Sequence, residues 1–103
     1  MTKWFHSGRR RDCCALLYEA GELRAQSLKT RLETHYDDRI DPQSFYYTLT
    51  TLVESGYLVR RTEGIADVYA LIDAGEAALR EHYDWLAERI EAGSDRVSGD
   101  ASD

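Results

Sequence analysis

The chain has 103 residues, which is enough for one domain with a modest hydrophobic core, so pairing with a second copy would be a natural way to bury more apolar surface. No apolar run approaches the roughly 18 residues needed to cross a bilayer, and the N-terminus lacks the apolar core of a signal peptide. These features argue against a membrane protein and predict a soluble protein of the cytoplasm.

The net charge of −6 argues against a nucleic-acid partner only if its distribution is ignored. Residues 1–62 hold ten basic and eight acidic side chains, a net charge of +2, whereas residues 63–103 hold three and eleven, a net charge of −8. Eleven of the 13 basic residues are arginines, and Lys3 and Lys29 are the two lysines. An acidic, lysine-poor composition is typical of proteins adapted to molar salt, and it predicts a halophilic source.

Two helices are predicted after a short N-terminal arm, residues 1–8, in which Trp4 and Phe5 would be anchors. The first helix starts at the arginine run of residues 9–11 and carries apolar residues at helical spacing as far as Ala20, after which Gly21 ends it. The second runs from about Ala25 to Tyr36, and Leu23 is assigned to the connection before it.

The third helix has the clearest start signal, because Asp41 can cap it and Pro42 suits its first position. It is predicted to run from Pro42 to about Ser55. Its apolar face holds Phe45 or Tyr46, followed by three aliphatic residues. The opposite face is predicted to carry Gln43, Ser44, Tyr47, Thr48 and Thr51.

The hydrophobic period then changes to that of β-strands, at residues 57–62 and 67–71, with a turn between them. A fourth helix follows, opened by Asp73 and Glu76 as a capping box. It is predicted to be the dimerisation helix over residues 73–92 and to end at Gly93. A disordered acidic tail is expected over residues 93–103. The stripe that would form the homodimer seam is Leu79, Tyr83, Trp85, Leu86 and Ile90; the alternative is that it packs back on its own domain, against Trp4 and Phe5.

This order of elements predicts a mainly α protein with a small β-hairpin, a winged helix–turn–helix domain over residues 9–72 followed by the dimerisation helix. In such a domain the third helix lies in the major groove and the hairpin is the wing. Hydroxyl and amide groups on the third helix can hydrogen-bond to base edges. The alternative is an ordinary solvated face, but such a face normally carries Glu and Lys, which are better helix formers than tyrosine, threonine and serine. Sequence-specific binding to double-stranded DNA is therefore expected.

The cations expected to help are at the wing and on the first two helices. Arg60 and Arg61 alternate on a strand, so one can contact phosphate while the other pairs within the protein. Arg10, in a run of three arginines at the N-terminus of the first helix, opposes the helix dipole, a cost that a phosphate would relieve; Asp12 and solvent are the alternative. Lys29, on the wet side of the second helix, completes the predicted DNA-binding set.

The segment from Ile40 to Leu79 contains two motifs, Phe45-Tyr46-Tyr47-Thr48-Leu49 with Leu52, Gly56 and Leu58, and Tyr69-Ala70-Leu71-Ile72-Asp73-Ala74-Gly75 after the wing. In these motifs the chain resembles the PadR-like transcriptional regulators, although Tyr57 and Ile72 depart from the usual pattern of that family. The likeness covers about residues 9–91. The resemblance implies a dimer that represses transcription, and some family members respond to small phenolic or drug ligands. The acidic composition adds the expectation that the source is a halophilic archaeon.

Other functions have weaker support. Cys13 and Cys14 are adjacent and cannot easily bridge each other, which favours small apolar helix residues and leaves a thiol-based redox sensor as the alternative. A protein-interaction module whose acidic surface excludes DNA is a second alternative. The three histidines are scattered, so neither a metal site nor a cofactor is predicted, and no nucleophile–base pair suggests an enzyme. A small-molecule effector near Trp4, Tyr83 and Trp85 has little support.

Overall fold

The computed structural model describes the backbone of residues 8–101 and the side chains of residues 8–94. It contains α1 (Gly8–Ala20), β1 (Leu23–Arg24), α2 (Ala25–Tyr36), α3 (Pro42–Glu54), β2 (Leu58–Glu63), β3 (Ala66–Leu71) and α4 (Asp73–Ala101). The predicted N-terminal arm, with Trp4 and Phe5, lies outside the described residues apart from Gly8, which begins α1.

The sheet has three strands, one more than the predicted hairpin. Its order is β1-β3-β2 and both pairings are antiparallel. Leu23 pairs with Tyr69 and Arg24 with Val68, so the assignment of Leu23 to a connection is wrong. A strand of two residues is too short to show alternation, and its formation depends on the free edge of β3 rather than on its own sequence.

The core lies where α1, α2 and α3 meet one face of the sheet. Its largest fully buried side chains are Phe45, Leu17, Leu28, Leu32, Leu49, Leu52, Cys13 and Cys14. All of them except Cys14 are at positions that the helical spacing predicts to be apolar, whereas Ala20, also predicted on that face, is exposed. Gly21 and Gly56, the glycines that follow α1 and α3, both have positive φ.

The helix α4 differs from its prediction at its C-terminal end. It continues through Gly93 to Ala101 instead of ending at the glycine. A glycine inside a helix costs roughly 1 kcal/mol relative to alanine, which weakens a helix without stopping it. An end signal needs a left-handed glycine, and among the described residues the glycines with positive φ are Gly21, Gly56 and Gly64.

Candidate nucleic-acid interface

The exposed face of α3 is fixed by how the helix begins and what it buries. The Asp41 Oδ2 atom accepts a hydrogen bond from the Ser44 backbone N at 2.9 Å, which caps the first turn, and Pro42 follows the cap. Burial of Phe45 and Leu49 turns the opposite side of the helix outward. Gln43 and Ser44 are exposed, as is 69% of Tyr47.

Two of the predicted members of this face are less accessible. Thr48 is 8% exposed, and its hydroxyl donates to the Ser44 backbone carbonyl at 3.2 Å, so the prediction that it lies on the exposed face of α3 is wrong. Thr48 lies three residues after Phe45 and one before Leu49, and the core covers a wider arc of α3 than the sequence pattern indicates. Thr51 is half-buried. The apolar residue of the first turn is Phe45, since Tyr46 is exposed.

Arg9 lies against the first turn of α3, which the sequence prediction missed. Its Nη1 atom donates to the Ser44 Oγ at 2.7 Å, across 35 residues of chain. Arg10, the predicted contact, is half-buried on the same helix. A signal did exist in the sequence: Arg9 lies one helical turn before the buried Cys13, so it faces the neighbouring helices. That phase favours Arg9 and Arg10 equally, and only the tertiary fold places Arg9 beside Ser44.

Arg60 and Arg61 lie on opposite faces of the sheet, as their alternation predicts. Arg60 is opposite Tyr69 in the β2–β3 register and hydrogen-bonds to its side chain, on the face that packs toward α3. Arg61 is on the other face, where its Nη2 donates to Glu22 Oε2 at 2.5 Å and also to Glu63 Oε2. These two carboxylates raise the pKa of Arg61 and neutralise it locally. Of the two arginines, Arg60 is the one beside α3.

Lys29 is engaged within the protein. Its Nζ is 2.8 Å from Glu33 Oε2, and that oxygen also accepts from the Ile40 backbone N at 2.9 Å. The hydrogen bond from Ile40, followed by that from Lys29, holds the pKa of Glu33 below its usual range. The pair ties α2 to the segment before α3, so Lys29 has a structural partner that its sequence position does not reveal.

The predicted dimerisation stripe is largely exposed. Tyr83, Trp85, Leu86 and Ile90 all expose more than a third of their surface, whereas Leu79 is partly buried against the core. The Trp85 ring stacks on His82, with 6.2 Å between ring centroids, and lies 4.7 Å from the Arg89 guanidinium carbon. An apolar side of this length is unusual on the surface of a single domain.

A groove of about 560 Å³ lies between α1 and α4, beside this stripe. It is lined by Arg11, Asp12, Ala15, Tyr18, Leu79, Arg80, His82, Tyr83, Asp84 and Leu86. At its wall the Arg80 Nη2 atom donates to the Tyr18 hydroxyl at 2.5 Å, which links the two helices. Of the three residues named in the effector prediction, Tyr83 borders this groove, Trp85 is not among its lining residues, and Trp4 lies outside the described residues.

The cysteines do not fit a redox sensor. Both thiols are fully buried and free. Burial, followed by the charge of Asp12, raises the pKa of Cys13 to about 12, and burial also raises the pKa of Cys14. A redox sensor needs an accessible thiolate, so the structure supports the other prediction, that Cys13 and Cys14 are small apolar residues of a helix.

Within residues 8–94 no group of three or more His, Cys, Asp or Glu side chains could hold a metal ion. Over the same stretch, none of the helices has the length and hydropathy to cross a membrane.

No protein-family model matches the chain, and a comparison with curated proteins gives no match either. Solved structures do match. RosR of H. salinarum is 22% identical, with 93% of this chain and 94% of that chain covered and a TM-score of 0.74. A candidate transcriptional regulator from Thermoplasma acidophilum is 20% identical, covers 94% and 97%, and has a TM-score of 0.71. A winged-helix DNA-binding protein from STIV is 16% identical, covers 75% and 84%, and has a TM-score of 0.63.

The chain has the winged-helix fold. In this winged helix α2 and α3 are the helix–turn–helix, α3 has the position that a recognition helix takes in the fold, and the β2–β3 hairpin is the wing. Gln43, Ser44 and Tyr47 are on α3, Arg9 lies against its first turn, and Arg60 is on the wing on the same side.

Proposed function

We propose that this chain is a transcriptional regulator that binds double-stranded DNA sequence-specifically as a homodimer. The observation that carries the proposal is the exposed first half of α3, where Gln43 and Tyr47 project from a helix otherwise held by the core. In winged helices this is the helix that enters the major groove. A candidate transcriptional regulator and a winged-helix DNA-binding protein among the similar solved structures support the same function.

Each side chain has a role that its chemistry permits. Gln43 can form two hydrogen bonds with an adenine edge, and the Tyr47 ring and hydroxyl can contact a thymine methyl group or a base acceptor. Arg9 and Arg60 flank α3 and are placed to contact backbone phosphates on either side of it. Arg61 and Lys29 have carboxylate partners within the protein and are assigned structural roles.

The dimer is proposed to form through α4. Its exposed side holds Tyr83, Trp85, Leu86 and Ile90, and the α1–α4 groove lies directly beside them. A second copy would cover this surface and place two recognition helices in successive major grooves, about 34 Å apart, on a partly palindromic site. Repression is the expected action, as the resemblance to PadR-like regulators implies.

The test is selection from random duplex DNA by the full chain, followed by titration of the enriched duplex. Tyr47→Ala is expected to reduce the preference for the enriched duplex over random duplex by about tenfold or more. If the wild-type chain retains no duplex at any salt concentration, the proposal is wrong and the protein-interaction module replaces it.

The two wing arginines provide a matched pair for the phosphate contact. Arg60→Gln should weaken binding to all duplexes alike and reduce the slope of log K against log salt by about one. Arg61→Gln removes the same charge from the adjacent residue and should leave that slope unchanged, because Arg61 is already paired with Glu22 and Glu63. Equal loss of slope in both variants would contradict the assignment.

A further inference from the structure

A turn of residues 37–41 joins α2 to α3 and fixes the direction in which α3 leaves α2. Its first residue, Asp37, has a φ of 54° and is the one non-glycine residue with a positive φ in the described part of the chain. Outside glycine this left-handed conformation is uncommon and strained, and it persists where the surrounding structure holds it in place. The turn therefore depends on contacts made to it by neighbouring residues.

Glu33, in the last turn of α2, makes two of these contacts. Its backbone carbonyl accepts a hydrogen bond from the Asp38 N at 3.1 Å, and its Oε2 atom accepts one from the Ile40 N at 2.9 Å. Ile40 is a buried core residue, so an unpaired N–H at this position would be costly. Because Ile40 is followed directly by Asp41, the cap of α3, the Glu33 side chain holds the chain at the point where α3 begins.

The Glu33 carboxylate is itself held in place by Lys29, one helical turn earlier on α2. The Lys29 Nζ lies 2.8 Å from the same Oε2 atom that accepts from Ile40. The two side chains are only 14% and 23% exposed. Salt screens partly buried ion pairs much less than exposed ones, so this arrangement should persist at high salt concentrations.

We propose that Glu33 is a positioning residue for base recognition, which fixes the orientation of α3 through the Ile40 hydrogen bond. The inference rests on the proposed DNA binding and adds a residue that acts through the turn rather than by contact with DNA. Side chains that recognise a partner by geometry must be held within about 0.5 Å and 10–20° of the productive arrangement. Phosphate contacts position the protein but carry no sequence information directly. Loss of Glu33 should therefore reduce discrimination between sequences more than it reduces general affinity.

The test measures the preference of the full chain for the enriched duplex over random duplex at one salt concentration. Glu33→Ala removes the acceptor of the Ile40 hydrogen bond and is expected to lower this preference about tenfold. Glu33→Gln keeps an oxygen that can accept from the Ile40 N, so it should restore most of the preference.

Glu19→Ala is the matched control. It removes the same charge and breaks an ion pair between α1 and α2, in which Glu19 Oε1 lies 3.8 Å from the Arg31 Nη1. This variant leaves the Glu33–Ile40 hydrogen bond in place and should keep the wild-type preference. Affinity of Glu33→Ala for random duplex should stay within about twofold of this control, because both variants carry the same net charge.

Amide hydrogen exchange separates release of the turn from loss of the fold. In Glu33→Ala the Ile40 N–H should exchange faster, while the amides of Leu28 and Leu32 in the buried part of α2 stay protected as in the wild type. Glu33→Asp is the second variant, which keeps the charge but shortens the side chain by one methylene. It should lose sequence preference as Glu33→Ala does, and it provides the test if the alanine variant does not fold.

Two results would overturn the inference and leave the proposed function intact. One is a wild-type preference in the variants whose Ile40 N–H exchanges fast, and the other is an equal loss of affinity for both duplexes. A wild-type chain that selects no duplex would remove the inference and the proposed function together.

Discussion

Gly75, in the first turn of α4, lies directly against the backbone carbonyl of Tyr57. A Cβ built on Gly75 would be 2.2 Å from the Tyr57 oxygen and 2.9 Å from Leu71 Cδ2, both too close for any real contact. The same oxygen accepts a hydrogen bond from the Ile72 backbone N at 3.2 Å. The start of α4 is thus held against the residue that precedes the wing, and this explains in physical terms the glycine at the end of the Tyr69–Gly75 motif.

Gly75→Ala is therefore expected to destabilise the fold. The backbone atoms of Tyr57 cannot move aside as a flexible side chain would, so we expect a loss of about 1–3 kcal/mol in the free energy of unfolding. Urea unfolding at one fixed protein concentration measures it, because stability of a dimer depends on concentration.

Gly93→Ala is the matched control on the same helix. Nothing lies within 4 Å of a Cβ built there, and the backbone is helical, so alanine should raise stability by up to about 1 kcal/mol. If both alanine variants shift stability in the same direction, the close packing of Gly75 is not the cause.

The exposed stripe on α4 predicts a monomeric variant. Leu86→Glu with Ile90→Glu places two charges on the surface proposed to pair, where desolvating them would be costly, so the dimer should dissociate at micromolar concentration. Sedimentation analysis gives the mass. Ala77→Glu is the control, since Ala77 is exposed on α4 away from the stripe and should leave the mass unchanged. A double variant that stays dimeric would show that another surface pairs the copies.

The helices and the wing could be predicted because each has a strong local signal. Leu28 and Leu32 recur at helical spacing, and Asp41-Pro42 is a start signal that the capping hydrogen bond confirms. β1 was missed because its two residues pair only through the edge of β3. The C-terminal end of α4 was misplaced because Gly93 is a glycine within a helix, not a left-handed end of one.

The candidate site was only partly predictable, because side-chain partners depend on distant parts of the chain. The exposure of Gln43 and Tyr47 followed from helical phase. The pairing of Arg61 with Glu22 spans 39 residues, and the contact of Arg9 with Ser44 spans 35, so neither could be found from local sequence. Thr48 was misassigned because the arc buried by a helix depends on what packs on it.

The acidic composition predicts a response to salt. If the carboxylates are an adaptation to molar salt, screening of their mutual repulsion should raise the thermal midpoint between low and molar KCl. Duplex binding should also show a shallower salt slope than that of a basic repressor. A midpoint that does not change with KCl, or a steep loss of binding, would contradict the halophilic interpretation.

The buried thiols predict how stability depends on pH in the alkaline range. The ordinary thiol pKa of 9.0 applies to the unfolded chain, whereas burial raises the pKa of Cys13 to about 12 in the folded state. The unfolded chain alone therefore releases these protons as the pH rises above about 9, so stability is complete below that pH and falls above it, by up to ~1.4 kcal/mol per pH unit for each thiol.

Cys13→Ala should start less stable, because it leaves a cavity, yet lose less stability between about pH 8.5 and 10. Tyr36, whose pKa is also raised, starts from an ordinary value of 10.0 and contributes mainly above this window. Urea unfolding between about pH 8.5 and 10 measures how the free energy of unfolding changes with pH. An equal change in the wild type and in Cys13→Ala would refute the burial of Cys13 as its cause.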